Sequence, residues 1–284
     1  MITSSQNPKL KLVRALLGRP KERRESNAFV AEGVRLVEEA VNAGWKFRFA
    51  LFSDGLSERG KELVKKLKAN QIEVEEVSGD LLQNVSETET PQGILAVLEY
   101  TDLPIPDSLD FVLIPDQIRD PGNLGTLLRT AAATGVQAVF LPPETTDAFA
   151  PKVLRAGMGA HFRLPIHSML WDGISEYISA SHLPQQDKPN REDSTRSTEK
   201  NHSARATHPL QVYLADMDGT SCWESDLRQP LAFIVGGEAD GASDDARKLA
   251  TQKISIPMAG NVESLNAGVA GSVLMFEVVR QRKH

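Results

Sequence analysis

The sequence predicts an α/β fold in which a C-terminal, mostly parallel sheet carries helices on both faces and follows a smaller α/β domain. Short apolar runs alternate with amphipathic helical segments along the 284 residues of the chain, which is the pattern of α/β proteins. The runs at 111–114 and 231–235 are apolar at every position. Such continuous runs indicate strands that are buried on both faces, as in parallel sheets.

The smaller domain is predicted over residues 1–98, and its first element is a basic amphipathic helix. The apolar residues of this helix recur at helical spacing: Leu10, Val13, Leu16 and Leu17. Strands are expected at 28–31, 47–52, 72–77 and 93–98, with one helix opened by Gly33 and another at 58–69. Residues 99–110 contain Pro104 and Pro106, which indicates a linker.

The larger domain is predicted over residues 111–284. Its strands are expected at 111–114, 138–141, 161–165, 211–215, 231–235 and 253–256, with helices between most of them. Residues 185–209 contain no aromatic residue, and their only aliphatic residues are Ala204 and Ala206. Because such a segment cannot bury apolar surface, we expect a disordered insertion within this domain.

Charge is unevenly distributed along the chain. The net charge is −6, but residues 1–25 carry +5 and the remainder −11. This asymmetry favours either a phosphate-binding surface or a solvated amphipathic helix. The candidate phosphate contacts are Lys9, Lys11, Arg14, Arg23 and Arg24.

Several classes of protein are disfavoured by composition. The single cysteine, Cys222, cannot form an internal disulfide, which is typical of a reducing cytoplasm. No apolar run is long enough for a membrane span, and the N-terminus lacks a signal-peptide core. The six histidines show no ligand spacing, so we expect no metal site and a cytoplasmic protein without a membrane partner.

The last thirty residues form an unusual strand and helix. The apolar run 254–258 is followed by a polar turn and then by a helix that begins with small residues, among them Gly268 and Gly271. Each glycine in a helix costs about 1 kcal/mol relative to alanine. The helix therefore needs its backbone close to a ligand, a knotted chain or a partner subunit.

Two further segments carry polar residues after predicted strands. After 111–114, the residues Pro121 and Gly122 lead into a helix near Asn123, on which Gly125 and Arg129 share a face. The strand at 231–235 ends in Gly-Gly-Glu, and the carboxyl ends of strands are where α/β sheets bind ligands. Neither segment contains a P-loop or a dinucleotide fingerprint.

In this order, the segments 120–130, 233–241 and 256–282 resemble the three signature motifs of the SpoU (TrmH-like) class of SPOUT RNA 2′-O-ribose methyltransferases. The resemblance implies a deep C-terminal trefoil knot, a homodimer, and transfer of a methyl group from S-adenosylmethionine to a ribose 2′-hydroxyl. It implies active-site roles for Asn123, Arg129, Glu238, Ser264 and Asn266. It implies cofactor contacts at Leu141, Gly236, Gly237, Ile256, Met258 and Leu265.

Each of the five active-site residues also has a simpler interpretation. Asn123 could be an ordinary helix N-cap, and Ser264 or Asn266 could cap the final helix. Arg129 could be an exposed cation and Glu238 a surface acid. Since arginine is hard to deprotonate, we expect Arg129 to position a phosphate or stabilise an alkoxide.

The N-terminal segment points to the substrate class. Residues 7–9 (Asn-Pro-Lys) and 29–33 resemble the small substrate-binding domain fused to many rRNA-directed members of this class. Ribosomal RNA is therefore expected, with transfer RNA as the alternative. A catalytically silent RNA-binding homologue is a further alternative, disfavoured because the active-site residues are present.

One motif points to a different enzyme class. Residues 216–220 read DMDGT after an apolar strand, which resembles the nucleophile loop of haloacid-dehalogenase-type phosphatases. Only 64 residues follow Thr220, too few for the rest of such an enzyme. We therefore expect no phosphatase.

Overall fold

The computed structural model describes residues 1–180, 210–238, 241–260 and 262–283. The disordered insertion predicted at 185–209 lies outside these residues. Two sheets are present, one of four strands and one of six. They lie on either side of the predicted linker at 99–110.

The N-terminal sheet is mixed. Its strands are β1 (Ala28–Glu32), β2 (Phe47–Phe52), β3 (Val74–Glu76) and β4 (Ile94–Glu99), in the order β1-β4-β2-β3. Strand β4 pairs antiparallel with both β1 and β2, and β3 pairs parallel with β2. The helices of this domain are α1 (Pro8–Gly18), α2 (Pro20–Ser26), α3 (Val34–Asn42), α4 (Glu58–Ala69) and α5 (Gly79–Val85).

The basic N-terminal segment forms two helices, α1 and α2, where the sequence predicted one. Helix α1 is capped by Asn7, whose side chain accepts a hydrogen bond of 2.9 Å from the Lys9 amide. Pro20 ends α1, since it lacks an N–H and clashes with the preceding turn, and it begins α2 as the first helical residue.

The C-terminal sheet has six parallel strands in the order β10-β8-β9-β5-β6-β7. The strands are β5 (Phe111–Pro115), β6 (Ala138–Leu141), β7 (Ile166–Ser168), β8 (Gln211–Ser221), β9 (Leu231–Val235) and β10 (Gln252–Ser255). The helices are α6 (Pro121–Thr134), α7 (Pro151–Gly157), α8 (Trp171–Ala180), α9 (Asp244–Leu249) and α10 (Ala267–Lys283). The parallel sheet is confirmed, and the knot stays a prediction.

Helices cover both faces of this sheet. Leu113 and Phe233 belong to an apolar core that includes residues of α6 and α10. Their neighbours Ile114 and Ile234 belong to a second core that includes residues of α8 and α9. Because successive side chains of a strand point to opposite faces, a strand buried between two helical layers must be apolar throughout.

The strand predicted at 161–165 is wrong. Residues Ala160–Phe162 form a single turn of 3-10 helix after Met158 and Gly159, which both have positive φ (50° and 91°). His161 is buried there, and its Nε2 lies 2.8 Å from the Ala148 carbonyl oxygen. The apolar residues of this segment fill cores without pairing as a strand, and β7 begins only at Ile166.

The two domains share an apolar core. Trp45 and Phe29 of the N-terminal domain pack against Phe149 and Phe162 of the C-terminal domain, with ring centroids 4.8–6.4 Å apart. The Trp45 indole also donates a hydrogen bond of 3.2 Å to the Phe162 carbonyl oxygen. The segment 99–110 therefore connects domains that are packed against each other.

Candidate active site

A cleft of about 610 Å³ opens beyond the carboxyl ends of β9 and β10. Five of the six predicted cofactor residues line it: Gly236, Gly237, Ile256, Met258 and Leu265. The predicted active-site residues Glu238 and Ser264 line it as well. The cleft therefore lies where parallel α/β sheets bind ligands, and it joins the second and third motifs.

Leu141 lies outside this lining. Its side chain is buried in the core that includes α6 residues, and its carbonyl oxygen accepts a hydrogen bond of 3.1 Å from the Met169 amide. We therefore leave Leu141 out of the proposed cofactor contacts.

The glycines of the second motif are required by packing of the main chain. A Cβ atom on Gly237 would lie 2.4 Å from the Gln117 carbonyl oxygen, and one on Gly236 would lie 2.7 Å from the Ala242 amide nitrogen. Both distances are too short for any other residue. The sequence predicted a ligand close to these glycines, and the structure adds that the loops after β5 and β9 contact each other there.

The small residues of α10 allow it to pack closely on α6. A Cβ atom on Gly271 would lie 2.4 Å from the Leu127 side chain. Beside this contact, the hydroxyl oxygens of Thr130 and Ser272 lie 2.9 Å apart. The sequence left three explanations open for these glycines: a ligand, a knotted chain or a partner subunit. On this face of α10 the close neighbour is instead α6, a helix of the same chain.

Three predicted active-site residues, one from each motif, form a hydrogen-bonded chain. The side-chain nitrogen of Asn266 donates to Asn123 Oδ1 over 2.9 Å. The side-chain nitrogen of Asn123 in turn donates to Glu238 Oε1. We call Asn123, Glu238 and Asn266 the polar triad.

Capping accounts for only part of this arrangement. The N-cap of α6 is Asp120, whose Oδ1 accepts a hydrogen bond of 2.8 Å from the Asn123 amide, so the interpretation of Asn123 as an N-cap is wrong. Asn266 does cap α10, since its Oδ1 accepts a hydrogen bond of 3.2 Å from the Val269 amide. The side-chain oxygen of Asn266 thus caps the N-terminal end of α10, and its side-chain nitrogen donates to Asn123 in the triad.

Arg129 is not brought to the triad. Asn123 and Arg129 are six residues apart on α6, which places them about 120° apart around the helix axis. Arg129 instead lines a separate cavity at the junction of the two domains, together with Arg35 and Arg163.

The face of α6 that Gly125 shares with Arg129 packs against α7. A Cβ atom on Gly125 would lie 2.4 Å from the Ala156 Cβ. Helix α7 therefore occupies the space beside the Gly125 backbone, and a substrate group has no room to approach there.

The DMDGT sequence is part of β8. Gly219 packs against β10, where a Cβ atom would lie 2.4 Å from the Ile254 amide nitrogen. Asp216 lines the cleft, 2.8 Å from the Lys253 ammonium and 3.7 Å from Arg247. The hydrogen bond from Lys253 lowers the pKa of Asp216, and burial opposes this shift. Asp216 therefore forms ion pairs at the cleft. The sequence did not indicate this position, because the DMDGT motif was considered only as a phosphatase signature.

Asp116, directly after β5, is a second residue that the sequence did not single out. Its side chain is buried, and its Oδ2 accepts a hydrogen bond of 2.6 Å from the Ser243 amide. Burial raises the pKa of this carboxyl group, and the hydrogen bond to Ser243 opposes the shift. Asp116 therefore attaches the loop after the second motif to the sheet.

The basic residues predicted to contact RNA differ in how exposed they are and in whether they form ion pairs within the protein. Lys11, Arg14 and Arg24 are exposed. Lys9 is paired with Glu73 and Glu75, each at 2.6 Å.

Arg23 is a correction to the predicted set. It is buried, its Nη2 lies 2.7 Å from the Asp147 carboxylate, and its Nη1 donates a hydrogen bond of 2.6 Å to the Leu16 carbonyl oxygen. Arg23 thus joins the two domains and is not available to a phosphate.

Neither a membrane span nor a metal cluster is found in the described ranges. No helix among those residues is both long and apolar enough to cross a bilayer. Among the same residues, no three side chains of His, Cys, Asp or Glu are grouped as metal ligands.

Comparisons with known proteins identify both parts of the chain. The profile of the SpoU rRNA Methylase family matches residues 110–187 and 190–276, and that of the MRM3-like substrate binding domain matches residues 7–96. A tRNA/rRNA methyltransferase from Synechocystis sp. is 33% identical over 99% of this chain and 94% of its own length. The 23S rRNA (uridine(2479)-2′-O)-methyltransferase from Streptomyces viridochromogenes is 30% identical over 98% of this chain and 92% of its own length.

A solved structure shows the same similarity. The SpoU methyltransferase AviRb from Streptomyces viridochromogenes, in complex with AdoMet, superimposes with a TM-score of 0.82 at 29% identity. The match covers 98% of this chain and 99% of that one.

Proposed function

Because the chain belongs to the SpoU rRNA methylase family, we propose that it transfers the methyl group of S-adenosylmethionine to the ribose 2′-hydroxyl of a nucleotide in ribosomal RNA. The observation that carries this proposal is the polar triad, in which one residue from each motif meets beside the cleft. The named activity of the Streptomyces relative and the AdoMet complex of AviRb support the reaction and the cofactor.

The cleft fits S-adenosylmethionine in size and chemistry. Its volume of about 610 Å³ is within the usual range of small-molecule sites. Ile256, Met258 and Leu265 offer an apolar wall for the adenine ring. The guanidinium of Arg247 offers a positive charge for the carboxylate of the cofactor. When bound, the cofactor supplies an electrophilic methyl group on its sulfonium.

The polar triad positions Glu238 for the substrate. Asn266 donates to Asn123 Oδ1, which turns the Asn123 amide nitrogen toward the carboxylate. Such chains polarise each member and fix its orientation. We assign to Glu238 the acceptance of a hydrogen bond from the ribose 2′-hydroxyl, which makes that oxygen a better nucleophile. Ser264 is a further polar contact in the same cleft.

The surface of α10 opposite the cleft supports a homodimer. One face of α10 exposes three apolar side chains, those of Val269, Val273 and Phe276. Trp223 is exposed beside them. Phe276 retains 53% of its accessible surface and Trp223 retains 54%. Together they line a shallow cavity of about 470 Å³. Contiguous exposed apolar side chains of this kind mark protein contacts. We propose that a second copy of the chain covers this face of α10, whose other face lines the cleft.

The N-terminal domain is proposed to hold the RNA. Its match to a substrate-binding domain supports this role, as do the exposed cations Lys11, Arg14 and Arg24. Ribosomal RNA is favoured over transfer RNA because the Streptomyces relative is named for 23S rRNA. We place the activity in the cytoplasm, in keeping with the free thiol of Cys222.

The proposal is tested by mapping 2′-O-methyl groups. Purified protein and S-adenosylmethionine are incubated with deproteinised ribosomal RNA, and separately with transfer RNA, from cells lacking the gene. We expect one nucleotide of ribosomal RNA to gain a 2′-O-methyl group and no nucleotide of transfer RNA to do so. Methylation of transfer RNA alone would reverse the substrate assignment. RNA binding without methylation of either RNA would indicate the silent homologue.

A further inference from the structure

Asp116 forms hydrogen bonds at both ends of the segment that carries Glu238. Its main-chain amide donates a hydrogen bond of 2.9 Å to the Val235 carbonyl oxygen, at the end of β9. Its side-chain Oδ2 accepts a hydrogen bond of 2.6 Å from the amide of Ser243, the N-cap of α9. Residues 236–242 lie between these two contacts in the sequence, and we call them the Glu238 loop. One residue therefore holds both ends of this loop.

The Asp116 carboxyl group is committed to this contact. The residue is 1% exposed, and its Oδ1 is buried without a hydrogen-bond partner among the described residues. Burial of a carboxyl group with one unpaired oxygen is unfavourable. The benefit of Asp116 therefore lies in what its other oxygen holds, the amide of Ser243.

The main chain after Asp116 supports the same loop. Gln117 has a positive φ of 55°, which is uncommon for residues other than glycine. Its amide donates a hydrogen bond of 3.1 Å to Thr145 Oγ1, and the Thr145 hydroxyl donates one of 2.9 Å to the Pro115 carbonyl oxygen. Strained backbone of this kind persists where its surroundings hold it, and it is concentrated at functional sites. Here it keeps the Gln117 carbonyl oxygen packed against Gly237.

The Glu238 loop forms one wall of the cleft and contributes the carboxylate of the polar triad. Besides Glu238, the loop residues that line the cleft are Gly236, Gly237, Gly241 and Ala242. The Gly237 amide donates a hydrogen bond of 3.0 Å to the Gly241 carbonyl oxygen. Because glycine restricts the backbone least, the position of Glu238 depends on how the ends of its loop are held.

We infer that Asp116 is a positioning residue for methyl transfer: by holding both ends of the Glu238 loop, it fixes the Glu238 carboxylate beside Asn123 and shapes the adjoining wall of the cofactor cleft. Asp116 does not belong to the lining of the cleft, so it acts through the loop. The effect on the reaction rests on the proposed function, whereas the hold on the loop rests on the hydrogen bonds alone.

The test compares Asp116→Ala, Asp116→Asn and His161→Ala in the full-length protein. Alanine removes the acceptor of the Ser243 amide, and asparagine keeps an oxygen in the same place. His161 is a buried residue of the same domain whose Nε2 lies 2.8 Å from the Ala148 carbonyl oxygen. It belongs neither to the cleft nor to the triad. His161→Ala is therefore the control for a general loss of stability.

Single-turnover methylation and cofactor titration separate positioning from binding. At saturating cofactor and RNA, Asp116→Ala should react about 10² times more slowly, the cost of displacing a positioned group by roughly 1 Å. It should bind S-adenosylmethionine about tenfold more weakly, as for the loss of one hydrogen bond. Asp116→Asn and His161→Ala should stay close to the wild type in both. Wild-type kinetics of Asp116→Ala, or an Asn variant as slow as the Ala variant, overturns the inference.

A double-mutant cycle shows whether Asp116 acts through Glu238. If it does, adding Asp116→Ala to Glu238→Gln should slow single-turnover methylation much less than Asp116→Ala slows the wild type. A full additional loss of rate in the double variant overturns the positioning of Glu238.

Hydrogen exchange of the Gly237 amide reports the hold on the loop without methylation. This amide should exchange faster in Asp116→Ala than in the wild type, in Asp116→Asn or in His161→Ala. A wild-type protein that methylates no RNA contradicts the proposed function, while the exchange comparison still decides whether Asp116 holds the loop. Unchanged exchange in Asp116→Ala, in a protein that methylates normally, contradicts this inference alone.

Discussion

Asn266, at the start of α10, donates a hydrogen bond of 2.9 Å from its side-chain nitrogen to Asn123 Oδ1 on α6, across 143 positions of sequence. The same Asn266 side chain caps α10 through its oxygen. One amide group therefore caps the N-terminal end of α10 and fixes the orientation of Asn123, which contacts Glu238. The capping of α10 and the proposed catalytic role of Asn266 can therefore be separated by substitution.

Replacing Asn266 by Ser and by Ala separates the two roles. Serine retains an N-cap acceptor and alanine does not, so only Asn266→Ala should lose about 1 kcal/mol of unfolding free energy. Both variants lose the donor to Asn123, and both should methylate RNA about 10² times more slowly. The measurements are urea unfolding and single-turnover methylation. A Ser variant with wild-type rate means that Asn266 is only a cap.

Arg23 and Arg24 are adjacent cations with different expected roles. Arg23→Ala leaves the Asp147 carboxylate at the domain junction without its partner and should cost about 3 kcal/mol of unfolding free energy. Arg24→Ala removes an exposed side chain and should change that free energy by less than about 0.5 kcal/mol, while weakening RNA binding. Denaturant unfolding and RNA titration check both. The assignment of Arg23 to the junction fails if the two variants are equally stable.

A chain that begins at Asp102 should fold poorly by itself. Removing the N-terminal domain exposes Phe149 and Phe162, which pack on Phe29 and Trp45 in the intact protein. We expect the intact protein to unfold in a single transition and the truncated chain to melt at a lower temperature or to aggregate. Calorimetry and light scattering are the measurements. Two separate transitions in the intact protein, with the upper one retained after truncation, would show that the domains are independent.

Phe276→Glu should disrupt the proposed homodimer. A charge in the centre of the exposed apolar face of α10 cannot be buried against a second copy without a large desolvation cost. Leu170→Glu, at another exposed apolar position (69% accessible), is the control and should leave the assembly unchanged. Analytical ultracentrifugation gives the mass of each variant. Identical masses for Phe276→Glu and the wild type would place the dimer contact elsewhere.

Titration of Asp116 should lower the free energy of unfolding as pH rises, whereas a carboxyl group with a lowered pKa would raise it. Burial raises its folded-state pKa above the ordinary 3.8, so the folded state binds its proton more tightly than the unfolded state. The stabilisation from this proton is full below 3.8 and is lost as pH rises through the raised folded pKa. Relative to Asp116→Asn, the wild type should therefore lose stability over a pH range that begins at 3.8 and extends through the raised folded pKa of Asp116. Urea unfolding of both proteins across this range checks the sign, and a constant difference contradicts it.

The local pattern of the sequence determined the elements and the family. A strand between two helical layers must be apolar at every position, so the runs at 111–114 and 231–235 identified the parallel sheet. The motifs themselves contain Asn123, Glu238 and Asn266, and their order along the chain predicted the family before any contact was known.

Only the tertiary structure decided which of these residues meet. Asn123 and Asn266 are joined because α6 and α10 pack on the same face of the sheet. Arg129 is turned away from them by its position around the α6 axis. Arg23 is buried by a second domain that its local charge pattern does not reveal. Composition and periodicity report how a segment is buried, whereas long-range contacts depend on how distant segments are arranged in space.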